Sequence, residues 1–390
     1  MKKTLIALAV TSAVSVPAFA QNSVTLYGII DLGIDYVNNV GGHAQWAERS
    51  GIVQGSRWGL KGSEDLGGGT KAIFQLENGF NAANGKLAQG GREFGRQAYV
   101  GLTNSSFGTL TLGRQYDPVV DMAQATTFNG QWGAYFSHPA DIDNTDNGFR
   151  INNAVKYVSP SFYGLQAEGM YAFGGQAGQF SNNSTIGGGL SYTGGPLYIG
   201  AGYFYAKNPD GSTTPAGASL SGQFNDGNFA GFSTAPGAAA KTDGIWGLVG
   251  IPSSMQVVSA GATYTLGPAM IGGNFSNVRF ENANSTPGNT VWFNSYELWG
   301  QYNLTPAALV GAGYTFTNGK VDATGQKPKY GQLNAVADYH LSKRTDVYVM
   351  GVWQHAMSGN VNADIYAPIF GSASTTSNQV MARVGIRHKF

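Results

Sequence analysis

The chain has 390 residues, of which 58 are glycine and none cysteine, and a formal net charge of +1. Charged residues are 12% of the sequence and aromatics another 12%, which puts charge at about half the usual share. The near-zero balance argues against bulk nucleic-acid binding and the lack of cysteine against a disulfide scaffold. Abundant Tyr, Phe and Trp in an alternating pattern argue against a disordered chain.

At the start, Met1-Lys2-Lys3 precedes an apolar run from Leu5 to Val16 and the small-residue end Ala18-Phe19-Ala20. This reads as a secretory signal peptide cut before Gln21, because a spanning helix needs about 20 apolar residues. The domain plan is a leader at 1–20 and one barrel domain at 21–390. Without Lys2 and Lys3 the mature chain has 21 basic and 22 acidic residues. No later stretch approaches helix-spanning length. In lipid every backbone group must be paired within a helix or around a closed ring of strands, so an all-β, antiparallel transmembrane barrel is the expected fold.

The first mature segment alternates cleanly. Val24, Leu26, Gly28, Ile30, Leu32, Ile34 and Tyr36 share one face, and Thr25, Tyr27, Asp31, Gly33 and Asp35 the other. Segments of this kind are predicted at 24–38, 55–65, 70–81, 92–103, 108–116, 150–159, 163–174 and 184–194. The second half adds 196–207, 255–266, 268–281, 291–303, 307–318, 329–341, 345–357 and 378–390, which makes sixteen strands. Short turns at 66–69, 104–107, 194–196, 304–306 and 341–344 alternate with long connections that include 117–149, 208–254 and 358–377. Loops sorted by length are the mark of an outer-membrane barrel, with short periplasmic turns and long external loops. In the last segment Val380, Ala382, Val384, Ile386, His388 and Phe390 form an apolar outer face. Met381, Arg383, Gly385, Arg387 and Lys389 point inwards, where a wide barrel is expected to supply water to the cations.

Several of these segments resemble, in order, the general trimeric porins of β-proteobacteria. They are Val24-Thr25-Leu26-Tyr27-Gly28, then 56–69, 95–102, 107–115, 152–157 and 341–348, and finally Val384-Gly385-Ile386-Arg387-His388-Lys389-Phe390. The likeness covers essentially the mature chain and is poorest in the loops 208–254 and 358–377. It implies a sixteen-stranded barrel that associates as a homotrimer in the Gram-negative outer membrane, amid lipid and lipopolysaccharide. It further implies passive diffusion of small hydrophilic solutes and ions through a water-filled channel, and no enzyme activity, cofactor or metal. The third external loop, here 117–149, folds into the pore in the family, and Phe390 resembles its signal to the barrel assembly machinery.

Charges at the narrowest level of such a pore bias which solutes enter. Arg57 and Lys61 share one face of the second strand, opposite Trp58 and Leu60. Arg150 and Lys156 share a face of the sixth with Asn152, opposite Ile151, Val155 and Tyr157. Both pairs are assigned to the lumen, since a lipid-facing Arg costs about 2–4 kcal/mol at mid-membrane. Arg57, Arg96 and Arg150 match the arginines that form the basic side of the constriction in the family. By alternation Arg96 falls with Ala98, Val100 and Leu102, and Arg114 with Leu110 and Leu112, so neither has a clean face. A rim or subunit-interface position is the alternative for Arg114. The opposing carboxylates are expected from the inward loop, at Asp117 and Asp121, whereas Asp141, Asp143 and Asp146 read as ordinary solvated loop. Asp31, Asp35 and Glu77 also point inwards, so the sign of selectivity stays open, with the arginines favouring anions.

The run 141–148 resembles a calcium loop, but its third Asp and its Gly are late and Asn152 stands where a bidentate Glu belongs. An EF-hand is rejected and only a looser divalent-ion site is left open. Gly67-Gly68-Gly69-Thr70-Lys71 lacks phosphate-loop spacing and reads as a turn. The histidines at 43, 138, 340, 355 and 388 make no ligand spacing and lie in no G-x-S-x-G context. An outer-membrane hydrolase and a substrate-specific binding channel are the remaining alternatives.

Overall fold

The computed structural model describes residues 23–209 and 244–390. The expected leader and most of the connection at 208–254 lie outside them. The strands are β1 (Ser23–Val40), β2 (His43–Ser50), β3 (Arg57–Gly67), β4 (Thr70–Gly79), β5 (Gln97–Asn104) and β6 (Gly108–Gln115). They continue as β7 (Ile151–Val158), β8 (Leu165–Ala172), β9 (Thr185–Gly194), β10 (Leu197–Lys207), β11 (Ser254–Leu266) and β12 (Ala269–Glu281). The last are β13 (Val291–Asn303), β14 (Ala308–Val321), β15 (Lys329–His340), β16 (Thr345–Ser358) and β17 (Asn378–Lys389).

From β3 onwards each strand pairs antiparallel with the next, and β17 returns to β1 with Ile29 opposite Lys389 and Val37 opposite Met381. The ring is therefore closed, and among the described residues every strand except β2, which pairs with β1 alone, has a partner on both sides. On its other flank β1 holds two partners end to end. Its lower half pairs with β3, from Ser23 opposite Ser63 to Ile29 opposite Arg57. Its upper half pairs with β2, from Leu32 opposite Ser50 to Val40 opposite His43. The segment 51–56 between them leaves the ladder and turns inwards, so seventeen hydrogen-bonded segments make the sixteen staves that the alternation predicts. β2 itself has no counterpart among the predicted strands.

Alternation along each strand sends apolar side chains out to lipid, such as Val24 (67% exposed) and Leu298 (75% exposed). At the external ends this polarity reverses. On β12 and β14 the outer face carries the exposed ion pairs Arg279–Glu281 and Lys320–Asp322, each at 2.7 Å. Phe280, Val291, Phe293 and Val321 point inwards and are buried. The reason is length: about 9–11 tilted residues cross the membrane, whereas these strands have 13 and 14. Their ends stand in water and enclose a core like that of a soluble protein. Into that core pack Trp246 and Val249 of the short helix Gly244–Val249, together with Ile142 and Phe149 of the third external loop.

Three expectations are corrected here. Ile151 faces the interior and is fully buried beside Phe149, because Asn153 takes a positive φ of 53° and the pairing slips between Gln115 opposite Ile151 and Gly113 opposite Ala154. Two of the three inner cations of β17, Arg383 and Arg387, do not stand in water. Arg383 is fully buried between Asp31 and Asp35, and Arg387 lies 3.0 Å from Asp346. Finally, the strand predicted at 92–103 begins five residues later, at Gln97.

Candidate functional site

The third external connection, 116–150, runs down into the barrel and crosses it in short helical turns. These lie at Val119–Ala123, Gln124–Thr126, Phe128–Trp132, Ala134–Phe136 and Pro139–Asp141. Buried irregular backbone at membrane depth requires internal partners, and the loop has them. Thr127 caps the Phe128–Trp132 turn by accepting from the Gly130 N–H at 3.0 Å. Phe128 stacks between Phe136 and Trp299, at 4.8 and 5.4 Å between ring centroids. Trp299 Nε1 donates to the Thr126 carbonyl at 2.8 Å, and Trp132 Nε1 to Gln301 Oε1 at 2.9 Å.

The far side of the loop is fastened by a buried charge cluster. His138 Nδ1 lies 2.5 Å from Asp143 Oδ2, and its Nε2 lies 3.8 Å from Glu297 Oε2, which also accepts from the Phe128 N–H. Burial opposes the charged imidazole, but Asp143 and Glu297 outweigh it and lift His138 to about 10. Burial likewise opposes the Asp143 charge, yet His138 and the hydroxyls of Ser276 and Thr145 hold its carboxyl below the ordinary range. Ser276, His138 and Asp143 are the residue types of a hydrolase triad. Here, however, Ser276 and His138 both bond the same Asp143 oxygen, and all three are sealed against the loop.

Between the loop and the β3–β5 wall lies an open cavity of about 770 Å³. Arg57, Arg96 and Arg150 all line it, joined by Arg49 and Lys86, while Asn129, Gly130, Gly133, Asp146 and Asn147 line it from the loop side. Arg57 donates from Nε to the Gly55 carbonyl at 2.8 Å, and Arg150 lies over the Tyr116 ring at 5.6 Å. Glu77 sits behind the basic wall. It accepts from Arg96 Nε at 2.7 Å and from Tyr27 Oη at 2.9 Å, and it lies 4.0 Å from Arg57. Charge-assisted bonds of this kind fix guanidinium planes, and Arg96 gains a second from Nη2 to Tyr116 Oη at 3.1 Å.

Both arginines with ambiguous alternation turn inwards for identifiable reasons. Arg96 precedes the first residue of β5, so the strand's parity does not govern it. Arg114 lies at a bulge: Gly113 has φ 135°, and pairing with β7 skips from Gly113 to Gln115. A bulge re-aims the next side chain, and Arg114 reaches the Gly95 carbonyl and Asn152 Oδ1. Lys61 points into the lumen below the cavity, 5.4 Å from the Tyr27 ring.

The carboxylates are arranged differently from the expectation. Asp117 is fully buried and closes the first turn of the loop, accepting from Val119 N, Val120 N and Asn144 Nδ2. Burial pushes its carboxyl up to about 7. Asp121 is bonded to Lys156, whose Nζ also donates to the Tyr116 carbonyl and lies 3.9 Å from Glu168. Asp121 and Lys156 thus neutralise each other at the root of the loop, away from the cavity. Nor is the later acidic cluster a solvated loop. Asp141 and Asp143 are fully buried, and Asp141 accepts from the backbone N–H of Asp146 and Gly148. Burial and the neighbouring Asp146 and Asp143 raise Asp141 well above the carboxylate range. Asp146 is the loop carboxylate that lines the cavity, and burial lifts it to about 7 against the opposing pull of Arg150 and Arg96. Asp31 and Asp35 do point inwards, but each is fully buried in a network with Arg383. Arg49 and Tyr116 carry no distinguishing signal in the sequence, since Arg49 sits on the unpredicted β2 and Tyr116 in the loop's first residues.

A family model described as Gram-negative porin matches residues 5–356. An outer membrane porin protein of Bordetella pertussis is 32% identical over 428 aligned positions, covering all of both chains. Outer membrane porin protein 32 of Delftia acidovorans is 29% identical, again over the full length of both. Among solved structures, the anion-selective porin from Comamonas acidovorans superposes with a TM-score of 0.68 at 26% identity, covering 95% of this chain and 100% of that one. A closed ring of sixteen staves around an inward loop, matched along its length by these relatives, makes the chain a member of the Gram-negative porin family, an outer-membrane channel for diffusion rather than an enzyme.

Proposed function

We propose that the filter of this channel is the gap between the inward loop and the basic wall of Arg57, Arg96 and Arg150, and that it favours small hydrophilic anions. The observation that carries this reading is the composition of the cavity wall. Five cations, Arg49, Arg57, Lys86, Arg96 and Arg150, face two carboxylates, Glu48 and Asp146. Fixed charge in a narrow passage raises the local concentration of the opposite ion. Glu77 and Asp35 offset part of the wall from behind, so the preference is one of degree. The named anion selectivity of the Comamonas acidovorans relative agrees with it.

We also propose a homotrimer. A lipid-facing barrel wall is flanked by aromatic girdles, and β8 to β16 expose Tyr192, Tyr264, Tyr296, Tyr302, Tyr339 and Trp353. On β1, β5, β6 and β17 the large exposed side chains are aliphatic, including Leu26, Ile34, Val100, Leu112, Val384 and Ile386. That sector suits contact with another copy better than contact with headgroups. Residues 1–20 would act as a cleaved export leader. Phe390, whose backbone closes the ring by a pair of 3.0 Å bonds to Gly28, would act as the assembly signal. Lipid and lipopolysaccharide would surround the remaining wall.

The filter is tested in planar bilayers under a salt gradient. The double variant Arg57→Ala and Arg150→Ala is expected to move the reversal potential towards cation preference while stepwise conductance persists. An unchanged reversal potential would remove these residues from the filter.

A further inference from the structure

We propose that Arg383, a residue with no face on the channel, sets the channel's width by holding both lips of the constriction at one buried junction. This rests on the constriction described above. The lip on the wall side is the inturned segment 51–56, which runs directly into Arg57 and lines the cavity with Ile52, Val53 and Gln54; the other is the loop at Gly130 to Ala134, and the two meet at one edge of the opening. The lips touch where the Ala134 N–H donates to the Ile52 carbonyl at 2.9 Å. The approach is so close that a Cβ on Gly133, whose φ is 81°, would lie 2.0 Å from that carbonyl oxygen.

Each lip is gripped by its own carboxylate. Asp31 Oδ2 accepts from the N–H groups of Val53 and Gln54 at 2.7 and 3.0 Å, which fixes the inturned segment. Asp35 accepts from the Tyr135 hydroxyl, which fixes the loop one residue beyond Ala134. Arg383 spans the two. Its Nη1 lies 2.6 Å from Asp35 Oδ1 and its Nη2 lies 3.5 Å from Asp31 Oδ1. The remaining donors go to the Tyr348 hydroxyl, itself bonded to Asp31 at 2.5 Å, and to the Arg49 carbonyl at 3.0 Å. The whole junction is buried, with Asp31, Asp35, Tyr135 and Arg383 at 0–2% exposure.

Two carboxylates buried side by side repel unless a cation lies between them. Only a planar guanidinium offers donors in several fixed directions at once. The β1 backbone sets the distance between the two residues, and Arg383 fixes where their carboxylate groups stand, and with them the segments they hold. Arg49 lies 3.3 Å from Asp35 but touches only that one of the two carboxylates and cannot join the two lips.

The test uses the full-length protein refolded in detergent and inserted in planar bilayers. Tyr135→Phe removes one hydroxyl from the loop lip, and Arg383→Lys keeps the charge but not the fork. Single-channel conductance and the largest polyethylene glycol that enters the pore are both expected to rise in each variant, with the reversal potential unchanged. That unchanged potential separates a failure of the junction from a failure of the proposed filter, which is read by the Arg57 and Arg150 variants. A purely structural role would lower the unfolding midpoint and leave conductance and exclusion limit alone, and that outcome overturns the proposal. A rise with Tyr135→Phe but not with folded Arg383→Lys also overturns it. If Arg383→Lys does not fold, Tyr348→Phe, which removes the hydroxyl that links Arg383 Nε to Asp31, takes its place, and no rise in conductance or exclusion limit with it overturns the proposal.

Discussion

His138 shows how much a single residue in this barrel depends on its surroundings. In water its imidazole would be half charged near 6.5; between Asp143 and Glu297 it stays charged up to about 10. A folded pKa above the unfolded one means that the stabilisation is complete below about 6.5 and is lost as pH rises towards 10. Replacing His138 with Gln leaves two buried carboxylates without their cation and is expected to cost about 3–5 kcal/mol. The difference in unfolding midpoint between wild type and His138→Gln should be largest below about pH 6.5 and should shrink as the pH rises to 10, a trend that a pH series of thermal or urea melts reads directly. A midpoint difference that is constant across that range would sink the assignment. In the sequence His138 is one histidine among five with no ligand spacing, and its partner Glu297 is 159 positions away. Nothing local marks either of them, because the pairing is made by a loop lying against a distant strand.

Elements explain where alternation succeeds and where it fails. Along β1 and β17 the inward direction of Asp31, Asp35 and Arg383 follows from period two, which is set by the pleat itself. It fails at Arg114 because the Gly113 bulge inserts one residue into the ladder, and at Arg96 because the strand begins one residue later. A bulge that needs φ 135° at Gly113 tolerates no side chain. A Cβ there would lie 2.2 Å from the Ala98 carbonyl oxygen. Gly113→Ala is therefore expected to lower stability by about 1–3 kcal/mol and to disturb the Arg114 bond to Asn152. Unfolding midpoints of the refolded variant, compared with Gly300→Ala on the outer wall, check this; equal effects would refute it. β2 escapes prediction for a related reason. It pairs only with the upper half of β1, beyond the membrane, where outer and inner faces no longer differ consistently in polarity.

At the scale of the whole molecule, the barrel is two environments stacked on one ring. The lower staves present apolar side chains to lipid and polar ones to water, while the upper staves enclose an apolar core around Trp246, Phe204 and Phe280. That core and the loop beneath it fill one side of the lumen, so the solute path is pushed against the β3–β5 wall where the arginines stand. The aliphatic sector of β17, β1, β5 and β6 leads to a prediction on assembly. Cross-linking and light scattering of the detergent-solubilised protein are expected to report three chains per particle. Leu26→Lys with Val100→Lys should release monomers that still form channels. Trimers that survive both substitutions would place the contact elsewhere on the barrel.

The sequence by itself determines the closed barrel, the number of its staves, the sorting of its loops and the inward face of most strands. These follow from period-two patterning and from the absence of any other way to satisfy a backbone in lipid. The inward courses of Arg57 and Lys156 are legible on the same grounds. Only the tertiary structure decides which charges meet the solute path and which are spent on holding it open. Asp117, Asp121 and Lys156 are used up fastening the loop, whereas Asp146 and Arg49 reach the cavity. The physical reason is that a loop inside a barrel must satisfy its own buried polar groups first. Its partners for doing so lie on strands far away in the chain, where neither period nor spacing can announce them.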